Sequence, residues 1–289
     1  MKARKSLTIA YTPDSDDAFY YDSLETGHVS LPGFVPRFSR KPVSDLNQAA
    51  LLGEYDVTAI SSVIYPQIAG RYAILSVGTS VGRGYGPVLV SRSDCTLAEL
   101  HGRRVGVPGF STTGCFLLRS LCPGAVPVEM VFDEIAAAVA AGDLSAGVMI
   151  HEELLYYPQM GLKRVVDLGA AWCEAHDLPL PVGLNVARRD LGAAELECVC
   201  AAIRRSLRHA LSHRTDTLTR VGSYGRGPDG GCTEQFVSMF ANQDSLNMPG
   251  DVRAALRVLF CQVVDLGLAA TVPQVDIIEG YPEPVAQSA

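Results

Sequence analysis

Several things are scarce in this chain, and each scarcity removes a class of function. Lysine and arginine number 24 against 31 aspartates and glutamates, a balance of −7 at neutral pH. The basic residues are scattered, with no stripe of the kind nucleic-acid binding needs. No apolar run approaches the roughly 20 residues that span a bilayer. The charged start Met1-Lys2-Ala3-Arg4-Lys5 is followed by Leu7-Thr8-Ile9-Ala10-Tyr11, too short for a secretory segment before Asp14, Asp16 and Asp17 interrupt it. The expected location is the cytoplasm, with no membrane partner.

Metal and disulfide signatures are also missing. The chain has eight cysteines but no C-x-x-C. Cys198 and Cys200 form a C-x-C, and on a helix these positions point ~200° apart, so they make no ligand pair. No histidine sits at metal-site spacing from another ligand pair. The cysteines read as buried thiols of a reducing compartment. Gly82-Arg83-Gly84-Tyr85-Gly86-Pro87 lacks the Lys-Ser/Thr of a phosphate loop and opens no helix, which argues against nucleotide binding and leaves a hinge or cleft-floor loop. There is no G-x-S-x-G nucleophile turn. The expected list of metals and cofactors is therefore empty.

The 289 residues suffice for two domains, and 48% hydrophobic content supports a sizeable core. Short apolar runs alternate with helical patterns, the mark of βαβ units. Strands are expected at Leu7 to Tyr11, Tyr55 to Ile60, Val88 to Val90, Arg104 to Val107, Ala146 to Ile150, Val165-Val166 and Leu184 to Ala187. Helices are expected over Asp17 to Leu24, Asp45 to Gly53, Thr112 to Leu121 and Ile135 to Ala141, and from Ala194 to His213. Helical pattern then continues to about Leu268, broken by the Gly-rich Gly222 to Gly231. This predicts two lobes, one from 1–88 with 188–289 and the other from 89–187. Two crossing strands would join them, near Pro87-Val88-Leu89 and Asn185-Val186-Ala187, and ligand would bind in the cleft between.

Four segments place chemistry at strand ends. Val107-Pro108-Gly109 leads into Ser111-Thr112-Thr113-Gly114, where a helix opens. Hydroxyls there either cap the helix or, with its first amides, hold an anion. His151 follows the apolar run Ala146 to Ile150, at the sheet edge that faces a ligand crevice in α/β proteins. Its imidazole suits proton abstraction near neutral pH, with a satisfied core histidine as the plainer reading. Thr12-Pro13-Asp14-Ser15-Asp16-Asp17 puts carboxylates at a helix start, where the dipole favours them and only one need face the cleft. Ser61-Ser62 follows Ile60 and reads as a helix cap or a ligand contact.

Taken together these segments resemble the 1,4-dihydroxy-6-naphthoate synthase family of menaquinone biosynthesis. The resemblance runs over most of the chain: Leu46-Asn47-Gln48, Tyr55-Asp56-Val57-Thr58-Ala59-Ile60-Ser61, Arg71 to Leu75, Gly82 to Pro87, Val107-Pro108-Gly109 with Thr112-Thr113, and Asn242 to Leu246. It is most specific at Phe132-Asp133-Glu134-Ile135 and at Ala146-Gly147-Val148-Met149-Ile150-His151-Glu152. It implies an α/β, two-lobed, type-2 periplasmic-binding-protein-like fold, with mixed sheets flanked by helices and a central cleft. It also implies a lyase that splits cyclic dehypoxanthine futalosine into the naphthoate and a sugar fragment, acting on a small-molecule carboxylate without a cofactor. The catalytic base would be His151, and Asp17, Asn47, Ser61, Thr112 and Thr113 would bind substrate.

The chain departs from the family at two places. The family usually begins Ser-Pro-Cys-Pro-Asn-Asp-Thr-Phe, so that Asp16 replaces an amide and Ala18 a hydroxyl; a charged Asp16 facing the ligand would disfavour a carboxylate. After the His-Glu pair the family often has an aromatic and a threonine, where this chain has Leu155 and Tyr156. Two other readings share the lobes: a non-catalytic small-anion-binding protein, and a sibling resembling chorismate dehydratase.

Overall fold

The alternating runs fold into two separate mixed sheets. The computed structural model describes residues 4–225 and 232–281, so residues 226–231 of the expected Gly-rich break and both ends of the first expected lobe lie outside the described residues. In chain order the strands are β1 (Lys5–Tyr11), β2 (Phe34–Arg40), β3 (Val57–Ser61), β4 (Tyr72–Leu75), β5 (Ser80–Gly82), β6 (Val88–Ser91), β7 (Arg104–Val107), β8 (Val126–Glu129), β9 (Ala146–Met149), β10 (Lys163–Asp167), β11 (Leu180–Arg188) and β12 (Ile277–Ile278). The first sheet runs β12-β4-β11-β3-β1-β2, with β5 also on β11, and the second runs β10-β6-β9-β7-β8. Within the first, β1 lies parallel to β2 and β3, and β11 antiparallel to β3 and β4. Within the second, β7 lies parallel to β8 and β9, and β6 antiparallel to β9 and β10. Strands β3, β4, β6 and β9 are buried along their whole length. That is why they read as continuous apolar runs rather than alternating ones.

Strand pairing corrects one expected boundary. Asn185-Val186-Ala187, expected to cross between lobes, pairs with β3 and β4 inside the first sheet. The chain returns earlier, between the helix Leu168–His176 and Leu180. Apolar patterning marked Leu184 to Ala187 as a strand but could not reveal that Leu180 and Pro181 already pair with β5. The outward connection is Arg83 to Pro87, which lies hard against the start of the returning helix. A Cβ on Gly86 would sit 2.9 Å from the Cα of Gly169, and one on Gly169 would sit 2.6 Å from the Tyr85 carbonyl oxygen. Close backbone approach explains this glycine pair. Arg83 anchors the same connection by bonds to Asp244 at 2.7 and 2.9 Å and to Asp251 at 2.8 Å.

The helix Gly250–Asp265 packs against both sheets through two stripes of side chains. Val252, Leu256 and Phe260 enter a core with Ile64, Tyr72 and Val186. Ala255, Leu259 and Val263 enter the core of the second sheet with Phe116 and Trp172. The spacing of four residues within each stripe puts each on one helix face. Trp172 Nε1 donates to Gln262 on this helix at 2.8 Å, and the Gln262 amide bonds His176 Nε2 at 2.7 Å. A further core lies between the N-terminal helix Ser15–Glu25 and the long helix Ala193–Ser212, where Phe19, Tyr20 and Tyr21 meet Val199, Ile203 and Leu207. All eight cysteines are free thiols; Cys115, Cys122 and Cys200 are buried, whereas Cys261 is exposed, contrary to the expectation of burial throughout. Among the described residues no helix is long and apolar enough to cross a membrane.

Candidate active site

The carboxyl ends of β1, β3, β7 and β9 converge between the two sheets. From β1 the chain turns through Thr12 and Pro13 into the helix Ser15–Glu25, whose first ten residues are all buried. The Thr12 amide and hydroxyl both donate to Asp17 Oδ2, at 2.9 and 2.5 Å, which ties the turn. Asp14 occupies the N-cap position, yet its carboxylate makes no capping bond to the helix. Instead its Oδ2 accepts from His151 Nδ1 at 2.6 Å, across 137 residues of sequence.

His151 stands two residues past the end of β9 with φ of +53°. The left-handed region costs a residue with a Cβ on the order of 1–3 kcal/mol, and such strain concentrates at functional sites. Phe132 meets the ring edge-on at 4.8 Å between centroids. With Nδ1 donating to Asp14, the neutral imidazole carries its lone pair on Nε2. The next residue, Glu152, is fully buried and accepts a hydrogen bond from the Ser15 hydroxyl. Burial pushes the Glu152 carboxyl above its ordinary range, against the lowering effect of that bond.

Asp16 and Asp17 fill out an acidic wall. Asp16 is buried, and the Ser80 hydroxyl lies 3.3 Å from its Oδ2. Burial, followed by the charges of Asp17, Asp14 and Glu152, raises its carboxyl well above the usual carboxylate range, opposed by His151. The uncharged acid is thereby favoured, as expected when several carboxyls share one dry pocket. Asp17 is pushed up to about 6, by burial foremost, with the two bonds from Thr12 pulling the other way. The charge penalty anticipated for Asp16 against a carboxylate ligand is reduced accordingly.

The facing wall is built differently. Thr112 caps the helix Thr113–Leu121: its hydroxyl accepts from the Cys115 amide at 3.2 Å and donates to the Gly109 carbonyl at 2.7 Å. The Thr113 hydroxyl donates to the Val182 carbonyl of β11 at 2.7 Å. Both hydroxyl protons are thus committed to backbone oxygens. An anion here would be met by the first-turn amides of the helix, which lack intrahelical carbonyl partners.

Two chambers adjoin. The inner, about 100 Å³, is bounded by the acidic wall, the Thr112–Gly114 turn, Ser61 and an apolar set that includes Ile60, Leu184 and Phe240. The outer, about 400 Å³, opens between Ser44-Asp45 and Glu129 to Asp133. Thr12, Asp14, Val43, Ile150 and His151 line both. Of the residues expected at the site, Asp17, Ser61, Thr112, Thr113 and His151 meet in the inner chamber. Asn47 stands behind it, fully buried: its amide group donates to Ser61 Oγ at 3.0 Å and to the Ser111 carbonyl at 3.1 Å, and its Oδ1 accepts from the Ser61 amide at 2.9 Å. It braces Ser61 and joins the two walls. Sequence reasoning missed the partnership of Asp14 with His151 and that of Ser15 with Glu152. An aspartate before a helix reads as a cap, and nothing local says that it faces away.

Two sheets with short return connections, and a site where their strand ends face one another, define the periplasmic-binding-protein-like class. The alkanesulfonate-binding protein SsuA from Xanthomonas axonopodis pv. citri shares this fold, with a TM-score of 0.72 over 96% of this chain and 98% of that one at 14% identity. Within that class the chain belongs to the menaquinone biosynthesis family, whose profile matches residues 7–264. A relative from Thermus thermophilus, named 1,4-dihydroxy-6-naphthoate synthase, is 38% identical over 93% of this chain and 98% of its own length. A crystal structure of a protein from Archaeoglobus fulgidus superposes with a TM-score of 0.86 at 39% identity, covering 91% of this chain and 98% of that one.

Proposed function

We propose that this chain is a lyase of menaquinone biosynthesis that splits cyclic dehypoxanthine futalosine into 1,4-dihydroxy-6-naphthoate and a sugar fragment, with His151 as general base. The observation that carries the reading is the Asp14–His151 pair, held at the junction of the two chambers with His151 in a strained backbone conformation. Asp14 orients the ring and stabilises the imidazolium that forms when Nε2 takes a proton from the substrate. The electrons released drive cleavage of the neighbouring bond, and the proton is returned to a product, so no net proton is gained or lost. The substrate carboxylate is met by the amides that open the helix at Thr113, with Ser61 beside it. Asp17 contributes from the opposite wall, and Asn47 acts through Ser61. Residues 1–88 with 188–289, and 89–187, act as the two lobes, with the exception of 180–187, which moves with the first. They close about Arg83 to Pro87 and the return before Leu180, making the Asn47–Ser111, Ser15–Glu152 and Asp14–His151 contacts.

The test is to incubate purified protein with cyclic dehypoxanthine futalosine and follow release of the naphthoate by mass spectrometry. Turnover that disappears in His151→Asn supports the reading. Absence of product from the wild-type protein overturns it in favour of a binding protein.

A further inference from the structure

The inner chamber is small for the whole of such a substrate. Its volume of about 100 Å³ is below the ~150 Å³ of a cavity that holds a single benzene. A bicyclic aromatic acid placed there must widen it and leaves no room for a second fragment. Adjoining it, with His151 and Asp14 in the lining of both, lies the outer chamber of about 400 Å³. Whichever half of the substrate is inside, the other half must lie outside.

Charge chooses between the two orientations. The outer chamber is bordered by Asp45, Glu129 and Asp133, all exposed, with Ser44 between the walls and no lysine or arginine in its lining. Exposed carboxylates repel a carboxylate ligand and accept hydrogen bonds from hydroxyl groups. The inner chamber also has carboxyls, Asp14, Asp16 and Asp17. Asp14, however, is paired with His151 at 2.6 Å, and burial favours the uncharged form of Asp16 and raises the Asp17 carboxyl. The rest of the lining includes helix-opening amides, Ser61 and apolar side chains.

We propose that the outer chamber is the subsite for the uncharged, hydroxyl-bearing fragment of the substrate, and that the bond broken lies at the junction formed by His151 and Asp14. This rests on the cleavage reading above. It accounts for one base serving a reaction whose two products occupy different chambers. It also gives the sugar fragment a direct exit, while the aromatic acid leaves only when the lobes part.

The experiment uses Val131→Trp. Val131 is 63% exposed, precedes the helix Phe132–Ala141 and lines only the outer chamber, so the variant narrows that chamber without touching the inner one. KM for cyclic dehypoxanthine futalosine should rise about tenfold or more, while the affinity for free 1,4-dihydroxy-6-naphthoate changes less than about twofold. Glu129→Gln combined with Asp45→Asn should raise KM in the same selective way. If the tryptophan variant weakens naphthoate as much as substrate, the orientation is reversed and the proposal is overturned. If it weakens neither while the wild type turns over normally, the outer chamber is not a subsite. A wild type that releases no naphthoate instead overturns the cleavage reading itself.

Discussion

The two walls of the inner chamber use opposite chemistry. The first-sheet wall presents titratable side chains, Asp14, Asp16 and Asp17, packed so closely that burial and mutual repulsion raise the carboxyls of Asp16 and Asp17. The second-sheet wall presents the helix opening at Thr113, where both threonine hydroxyls are spent on backbone carbonyls. One wall carries carboxyls; the other presents backbone amides and hydroxyls already bonded to the main chain. His151 belongs to the second sheet by sequence and to the acidic wall by its bond to Asp14. In the proposed mechanism, proton transfer depends on the two walls being together, whereas anion binding needs only one of them.

The largest effect should come from the residue that joins the walls. His151→Asn removes the proposed base, and turnover should fall about 10²–10⁴-fold. Asparagine accepts left-handed backbone geometry well, so the melting temperature should hold. A variant that melts early but turns over normally per folded molecule would make His151 a core residue and dissolve the contrast between the walls.

Asp14→Asn tests whether the acidic wall positions the base. An amide in place of the carboxylate no longer stabilises the imidazolium and can present its donor to Nδ1, favouring the unproductive tautomer. A loss in kcat of about 10–10²-fold is expected, less than deletion of the base itself, with KM little changed. An equal loss in KM would show that Asp14 contacts substrate directly.

Asp16→Asn isolates the effect of crowded charge. The folded state raises the Asp16 carboxyl well above its ordinary value, so as pH rises the unfolded chain ionises first and the folded state is progressively disfavoured. Asp17 has the same sign, across the window from 3.8 to about 6. The variant should therefore melt about 2 °C or more above wild type at neutral pH, and the gap should shrink towards about pH 4, where the unfolded carboxyl regains its proton. Melting curves across that range check the sign; a variant less stable at neutral pH refutes it.

Thr112→Val should have the smallest catalytic effect. Losing the cap costs about 1 kcal/mol and lowers the melting temperature by about 2–4 °C. Because the hydroxyl proton is already held by Gly109, KM should shift less than about threefold, well short of the roughly tenfold effect of losing a charge-assisted bond. A tenfold rise in KM would show that the hydroxyl turns to the ligand and that the second wall also acts through side chains.

Local patterning in the sequence marked seven of the twelve strands among the described residues, missing β2, β4, β5, β8 and β12 as well as the helix Leu168–His176, and it marked the helix opening at Thr112. Five of the six residues expected at the site line the inner chamber. What it caught it caught because strand ends and caps are set by neighbours a few positions apart. The motif Ile150-His151-Glu152 was legible for the same reason. Three features were settled only by the tertiary structure. Leu180 to Ala187 joined the first sheet because β3, β4 and β5 offered edges that no local pattern describes. Asp14 turned from its cap position to His151 because β1 and β9 end face to face. Asp16 came to favour an uncharged form because three other carboxyls were packed around it in a dry pocket. Each depends on which distant groups share a space, and the energies of charge and burial are decided there.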